Sequence, residues 1–388
     1  MMITCCAIAD KGIEKITLLE LDEIINTKGK VEEGVVLFEC KDYEPALTFC
    51  YKAQSIKRVL VLFSSFAFKN QDEIEKGIDA GLKKINLADW FDKEKSFRVV
   101  CERIGEHSFG SQTIEEVVGE KIIKAVKKKL NFNPSANMKV PDTIIYVLII
   151  NNKAYFGIDL AGKDLSKRNY RIFSAPAIIN ANLAYTLVRM SSFARDKKQK
   201  LVDVFCKSGV VCIEAALYAA NLSINRYSKD FAFKKLKIFA KKDWENFFEA
   251  IDSSAKIEKL GIIGSDPMLR NVEASKKNAK LAGVDKIINF SRIDVDWLDT
   301  KRDEKSVDIM ASRIPCPSKH ASESDMKKLY KELFYQAEFF MKKGGKMAFL
   351  TENTILLKEM ITQDFSLIKE DELWSGKQKY QFVMLEKK

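Results

Sequence analysis

The sequence lacks the patterns that mark a zinc site, a membrane span or a secretory leader. It has only two histidines, His107 and His320, and none of its eight cysteines forms a Cys-x-x-Cys pair, so the usual zinc-ligand spacings are missing. No apolar run approaches the roughly 18 residues that a membrane helix requires. Met1–Cys6 has no signal-peptide cleavage pattern. We therefore expect no metal, no membrane association, a cytoplasmic location and reduced thiols.

Acidic residues are outnumbered by basic ones. Lys and Arg total 65 against 54 Asp and Glu, which gives a net charge of +11 and a pI near 9.0. Such a balance favours an anionic partner, nucleic acid above all. A lysine-rich composition can also reflect a genome of low GC content, so the charge alone leaves both explanations open. At 388 residues the chain is long enough for two or three domains.

The first part of the chain reads as an α+β arm. Periodicity predicts a helix over residues 13–25 and strands over 35–40 and 58–63. A second group follows, with a strand over 96–104, a helix over 113–130 and a hairpin whose strands, 143–150 and 153–159, flank two asparagines. Thr113 and Glu116 have the spacing of a capping box at the start of that helix.

Two clusters of basic residues are candidate RNA contacts. The helix over 113–130 ends in four lysines, and a connector later in the chain combines basic residues with an aromatic; the residues are Lys124, Lys127, Lys128, Lys129, Lys167, Arg168, Tyr170 and Arg171. Basic groups beside an aromatic suit phosphate and base contacts. The helix lysines could equally form a solvated face that complements the helix dipole. The connector could instead form salt bridges that fix the two halves of the chain together.

From about residue 180 the pattern alternates strands with helices. The segment Leu201–Val210 reads as a strand that enters a loop and a helix, Gly261–Asp266 as a strand that ends in an acid, and Val307–Cys316 as a strand that ends beside a proline. This alternation favours a mainly parallel, doubly wound sheet of the nucleotide-binding type. We see no internal repeat and no low-complexity region.

Several of these segments resemble a known family. Phe97–Val99, the turn Glu106–Phe109, Val118–Glu120 and Ala154–Asp159 occur in the order found in a THUMP domain, an RNA-binding module. The connector, from Gly162 to Ile178, resembles the linker of THUMP-bearing, S-adenosylmethionine-dependent guanine-N2 RNA methyltransferases. The resemblance implies four parts: a ferredoxin-like domain (1–65), a THUMP domain (66–160), a linker (161–185) and a Rossmann-type methyltransferase domain (186–388).

The same resemblance assigns cofactor-binding positions. The family's first loop reads Asp-Pro-Phe-Cys-Gly-Ser-Gly-Thr, and here Asp203, Phe205 and Gly209 match while Lys207 replaces a glycine. Asp266 matches the acid that bonds the ribose of S-adenosylmethionine, and Asp294 the acid that faces the adenine; both can also be surface loop residues. Lys207 adds bulk and a positive charge near a cationic sulfonium. Alternatively, Lys207 fills an empty pocket and pairs with Asp203 or Asp266.

The family's catalytic motif is altered too. Where it has Asn-Pro-Pro-Tyr or Asn-Leu-Pro-Tyr, this chain has Arg313, Ile314, Pro315 and Cys316. The resemblance gives the Asn the task of accepting hydrogen bonds from the exocyclic amine of guanine, and the Tyr that of stacking on the flipped base. Arg313 has five donors and no acceptor, and Cys316 has no aromatic face.

Two functions therefore remain open from the sequence. One is a methyltransferase that acts on the exocyclic amine of a guanine in tRNA, or less readily in ribosomal RNA. The other is a catalytically silent relative that binds RNA or pairs with an active enzyme. The fold favours the first, and the altered motifs favour the second. The sequence does not identify a protein partner.

Overall fold

The computed structural model describes residues 2–175, 179–258, 261–319 and 321–388. The described residues up to 160 form eight strands and four α-helices: β1 (Ile3–Ala9), α1 (Glu14–Ile25), β2 (Gly29–Glu32), β3 (Val35–Cys40), α2 (Glu44–Lys52), β4 (Ile56–Ala67), α3 (Gln71–Lys84), β5 (Ser96–Ile104), α4 (Ser111–Leu130), β6 (Ser135–Ala136), β7 (Thr143–Ile150) and β8 (Lys153–Asp159).

The described residues after 160 form seven strands and six α-helices: α5 (Ala181–Met190), β9 (Leu201–Asp203), α6 (Val210–Ala219), α7 (Trp244–Asp252), β10 (Ile262–Asp266), α8 (Leu269–Ala282), β11 (Ile288–Arg292), β12 (Val307–Arg313), α9 (Glu323–Phe340), β13 (Met341–Thr351), α10 (Thr354–Glu359), β14 (Phe365–Ser375) and β15 (Gln378–Lys387). Among the described residues, no helix combines the length and the apolar character that crossing a membrane demands.

The described chain divides into two units. The first comprises Met1–Ala9, Thr17–Leu165 and Lys229–Ile251, and the second comprises Asp10–Ile16, Ser166–Ser228 and Asp252–Lys388. The segment Lys229–Ile251, which the sequence-based division places within 186–388, thus belongs to the first unit. Its Phe233 donates a backbone hydrogen bond to the carbonyl of Leu160 at 3.0 Å.

A single eight-stranded sheet runs through the first unit, in the order β2-β3-β1-β4-β8-β7-β5-β6. The elements β1, α1, β2, β3, α2 and β4 follow the βαββαβ order of a ferredoxin-like fold, as predicted. Strand β4 pairs with β1 on one side and with β8 on the other, so the sheet continues without a break into the THUMP-like elements. The predicted hairpin is present, because β7 and β8 pair antiparallel.

The start of α4 differs from the prediction. The helix begins at Ser111, and its N-cap is Gly110, which has no side chain to accept a hydrogen bond. Thr113 therefore lies inside the first turn and cannot act as the cap of a box with Glu116. The extended backbone of Gly110 (φ −87°, ψ 159°) ends the preceding turn.

The second unit contains a seven-stranded sheet in the order β11-β10-β9-β12-β13-β15-β14. The first five strands in this order run parallel, and β15 pairs antiparallel with both β13 and β14. This arrangement confirms the predicted doubly wound, mainly parallel sheet. In such sheets the carboxyl ends of the parallel strands line the ligand crevice. Asp203, Asp266, Arg313 and Thr351 are the last residues of four of these strands.

Candidate functional site

Asp203 ends β9 in a fully enclosed position. Its side chain is buried, and Oδ1 accepts hydrogen bonds from Ser312 Oγ at 2.7 Å and from the backbone N–H of Phe205 at 3.1 Å. Burial raises the pKa of Asp203 to about 7, and the hydrogen bond from Ser312 opposes that rise. Ser312 lies on β12, so this contact joins two neighbouring parallel strands at the site.

The loop after β9 makes two left-handed backbone turns. Lys207 has φ 51° and Gly209 has φ 81°. A Cβ on Gly209 would lie 3.0 Å from Ser275 Cβ and 3.1 Å from Phe290 Cζ, so only glycine fits there without displacement. Lys207 has a Cβ and nevertheless adopts this left-handed conformation, which costs about 1–2 kcal/mol relative to a right-handed one.

Asp266 is held by groups from its own surroundings. The carboxylate accepts hydrogen bonds from the backbone N–H of Lys207 at 3.1 Å, from that of Met268 at 2.9 Å and from Asn271 Nδ2 at 2.9 Å. Asp266 thereby fixes the loop at Lys207. Burial lowers the pKa of the Lys207 amine, and the nearby Arg313 guanidinium lowers it further, while Asp266 opposes both effects.

The space among these residues is small. A cavity of about 20 Å³ is bordered by Asp203, Phe205, Lys207 and Arg313, which is room for about one water molecule. Small-molecule sites measure roughly 300–1,000 Å³. A cofactor of that size can enter only if side chains that border this cavity move.

Arg313 forms an ion pair that the sequence did not reveal. Its Nη2 lies 2.5 Å from Glu352 Oε1, and its guanidinium lies 5.7 Å from the centroid of the Tyr380 ring. Glu352 follows the last residue of β13, and Tyr380 lies on β15. The only signal in the sequence is an acid directly after a strand, in a sheet whose strand ends form the site.

The other two positions of the altered motif lie next to this ion pair. Cys316 Sγ is 3.2 Å from Thr351 Oγ1, and the backbone N–H of Glu352 points to Sγ at 3.5 Å. The carbonyl of Pro315 accepts a hydrogen bond from the Tyr330 hydroxyl. The structure thus brings together the predicted residues Arg313, Pro315 and Cys316 and adds Glu352 to them.

Asp294 has a local role in the structure. It is exposed, and its side chain accepts a hydrogen bond from the backbone N–H of Val295 at 2.6 Å, which caps a short 3-10 turn. This contact agrees with the alternative of a surface loop residue. Its predicted contact with an adenine remains a prediction.

The lysines at the end of α4 differ in their environments. Lys124 pairs with Glu120 at 3.1 Å, and the Lys129 amine donates to the carbonyl of Leu82 at 3.0 Å. Lys127 and Lys128 are exposed. All but Lys124 lie in the last turn, where they complement the helix dipole. RNA contact by this cluster remains a prediction.

Two connector residues that we predicted to contact RNA are buried instead. The side chains of Arg168 and Glu214 are 1% and 0% exposed, and Arg168 Nε lies 3.0 Å from Glu214 Oε1. The Tyr170 hydroxyl donates to the same oxygen at 2.7 Å. Both side chains are buried, which agrees with the alternative that the connector forms salt bridges, and RNA contact by Arg168 and Tyr170 remains a prediction. The prediction stays open for Lys167, which is exposed, and for Arg171, which is half-buried.

Some predicted features cannot be placed. Pro176, Ala177 and Ile178, the end of the connector motif, lie outside the described residues, as does His320. Within the described part of the chain, no three His, Cys, Asp or Glu side chains are grouped so that they could hold a metal ion.

Comparison with known families decides how this site is classified. The family described as RMKL-like, methyltransferase domain, matches residues 168–379, and the THUMP domain family matches residues 72–159. The first match covers more than half of the chain. The chain belongs to the RMKL-like methyltransferase family. The match begins at Arg168, so the buried contacts of Arg168 and Tyr170 with Glu214 lie inside the methyltransferase region.

Individual relatives extend over almost the whole chain. A tRNA (guanine(6)-N2)-methyltransferase of Methanocaldococcus jannaschii is 30% identical over 369 residues, 93% of each protein. A ribosomal RNA large subunit methyltransferase K/L of Buchnera aphidicola is 26% identical over 356 residues, but the chain spans only 49% of that protein. TrmN from Thermus thermophilus has the same fold, with a TM-score of 0.73, 20% identity and complete coverage of both chains.

Proposed function

We propose that this protein transfers a methyl group from S-adenosylmethionine to the exocyclic N2 of a guanine in tRNA. The observation that carries the proposal is the pair of acids, Asp203 and Asp266, at the carboxyl ends of the adjacent strands β9 and β10, with the left-handed turn at Gly209 leading into α6. This is where a doubly wound sheet binds a nucleotide-type cofactor. Membership of a methyltransferase family supports the same cofactor.

An acceptor for the exocyclic amine is available beside Arg313. S-adenosylmethionine would supply the methyl group and leave as S-adenosylhomocysteine, and the exocyclic amine would give up one proton to a nearby acceptor or to water. Arg313 cannot accept a hydrogen bond, but Glu352 can. Arg313 engages Oε1, whereas Oε2 accepts no hydrogen bond within the described residues. The Glu352 side chain is 38% exposed. We infer that Glu352 accepts the amine hydrogen bond and that Arg313 positions it.

We propose tRNA as the substrate because of how much of each relative the match covers. The match to the tRNA enzyme of M. jannaschii covers 93% of each protein, while the match to the ribosomal RNA enzyme covers only 49% of that enzyme. The THUMP match and the net charge of +11 support RNA as the substrate. Eight cysteines that form no disulfide fit the reducing cytoplasm, where we expect the protein to act.

A second function is favoured by one observation. Lys207 and Arg313 border a cavity of about 20 Å³ at the cofactor position, which suits a silent relative that binds RNA without a cofactor. Two measurements distinguish the candidates: calorimetric titration with S-adenosylmethionine, and transfer of a labelled methyl group to unmodified tRNA under single-turnover conditions. Binding and transfer support the methyltransferase. Tight tRNA binding with no heat on adding S-adenosylmethionine supports the silent relative and excludes the first proposal.

A further inference from the structure

A cavity of about 170 Å³ opens in the first unit, and none of its lining residues belongs to the strand ends described above. Three lysines line it: Lys139 before β7, Lys163 after β8, and Lys235 in the segment 229–251. We call it the lysine cavity. Phe231 and the backbone of Gly162 form part of its wall. Neither the THUMP match nor the methyltransferase match contains the whole cavity, because Lys139 lies in the first and Lys235 in the second.

The charges around the lysine cavity are mainly positive. Among the described residues, Asp230 is the only carboxylate in its lining. Burial lowers the pKa of Lys163, and Asp230 opposes that shift. Asp142 lies near Lys235, but its Oδ2 already accepts from the N–H and the hydroxyl of Ser96, at 2.9 and 2.8 Å. Within the described residues, neither Lys139 nor Lys235 forms an ion pair with a carboxylate.

Aromatic and apolar side chains accompany the lysines of the cavity. The Lys163 amine lies 4.7 Å from the centroid of the Phe231 ring, which holds this cation at the wall. Val140, which lines the cavity, is 64% exposed, and Met138, two residues earlier in the chain, is 57% exposed. Apolar side chains beside a group of cations offer contact area for a sugar or a base next to a bound phosphate.

We propose that the lysine cavity binds a backbone phosphate of the RNA substrate. Its volume equals about six water molecules at roughly 30 Å³ each, which suits a phosphate with part of its ribose and is too small for a whole nucleotide cofactor. Lysine binds phosphate as a point charge and needs no fixed geometry. This cavity proposal rests on the proposed function, because it takes RNA to be the substrate. It assigns a role in substrate binding to the segment 229–251.

The first test changes the charge of the cavity. The double variant Lys139→Gln, Lys235→Gln removes two cations, and Lys83→Gln, Lys84→Gln removes two exposed lysines of α3 as the matched control. We expect the cavity variant to bind an unmodified tRNA transcript about tenfold more weakly. The slope of log affinity against log salt should fall in magnitude by about one unit. The control should keep the wild-type slope. Equal slopes in both variants and in the wild type overturn the proposal.

The second test locates the phosphate. Lysine acetylation followed by mass spectrometry reports the accessibility of Lys139, Lys163 and Lys235, with tRNA or with inorganic phosphate as the probe. Protection by tRNA at these lysines but not at Lys83 supports the proposal. Protection by inorganic phosphate alone overturns RNA as the ligand. If the wild type binds tRNA and these lysines stay reactive, the cavity proposal fails while the proposed function stands; if the wild type binds no tRNA, both fail.

Discussion

Arg313 Nη2 and Glu352 Oε1 lie 2.5 Å apart, and this ion pair joins the carboxyl ends of β12 and β13. The side chain of Arg313 is 15% exposed and that of Glu352 is 38% exposed, so the acid is the more accessible partner. At position 313 the family resemblance implies an asparagine that accepts a hydrogen bond, and this chain has an arginine instead. Glu352, which is paired with Arg313, provides an acceptor at that place. A substrate amine approaching the strand ends would meet a carboxylate rather than a bare cation.

Replacing Glu352 should separate catalysis from RNA binding. Glu352→Ala removes the acceptor, and the loss of one such polar contact typically costs about 10²–10³ in kcat. Glu352→Gln keeps one acceptor oxygen and should lose less. Affinity for tRNA should not change. Glu338→Ala, at an exposed position of α9, is the control. Full methylation activity in Glu352→Ala would rule out the proposed acceptor.

Lys207 should limit cofactor affinity. Lys207→Gly relieves the left-handed backbone and removes the charge, so we expect S-adenosylmethionine to bind at least about tenfold more tightly, a gain of roughly 1.4 kcal/mol. Lys207→Ala removes the charge but keeps a Cβ at φ 51°, so its gain should be smaller. Calorimetric titration gives both affinities. A wild type that binds as tightly as Lys207→Gly would contradict the steric and electrostatic argument.

The buried pair Arg168–Glu214 should affect folding rather than RNA binding. Arg168→Ala leaves a buried carboxylate without its cation, which typically costs about 3–5 kcal/mol in the free energy of unfolding. Lys167→Ala, at the exposed neighbouring position, should leave stability unchanged. Urea unfolding measures both. If Arg168→Ala is as stable as the wild type and instead shows a reduced salt slope for tRNA binding, the predicted RNA contact of Arg168 is supported and the structural role is excluded.

Local sequence patterns predicted the bounds of some strands. They did not predict which side chains pair with residues far away in the sequence. The spacing of apolar residues predicts β3 and β5 at the bounds that the structure gives, because alternation along a strand reflects burial of its faces. The burial of Arg168 depends on Glu214, 46 residues away. The pairing of Arg313 with Glu352 likewise depends on two strands lying side by side in the folded sheet. The positions of the altered motifs were therefore predictable, while the side chains that compensate for them were not.

Asp203 should make stability depend on pH. Its pKa is about 3.9 in an unfolded chain and about 7 in the fold, so the native state holds an extra proton between these values. The contribution of Asp203 to the free energy of unfolding is fully present below about pH 3.9 and is lost as the pH rises through about 7. Stability should thus fall by about 1.4 kcal/mol per pH unit in that window from this group alone. Asp203→Asn should abolish this component, while Asp299→Asn, at an exposed position, should keep it. Parallel curves for Asp203→Asn and the wild type in urea unfolding from pH 5 to 8 would show that Asp203 ionises normally.

The most direct measurement is the chemical identity of the product. Unmodified tRNA incubated with the wild-type protein and S-adenosylmethionine, then digested to nucleosides and analysed by mass spectrometry, should contain N2-methylguanosine. Glu352→Ala should yield far less of it at equal RNA occupancy. A wild type that binds tRNA and S-adenosylmethionine but forms no methylated guanosine, or that methylates a different base, would contradict the account.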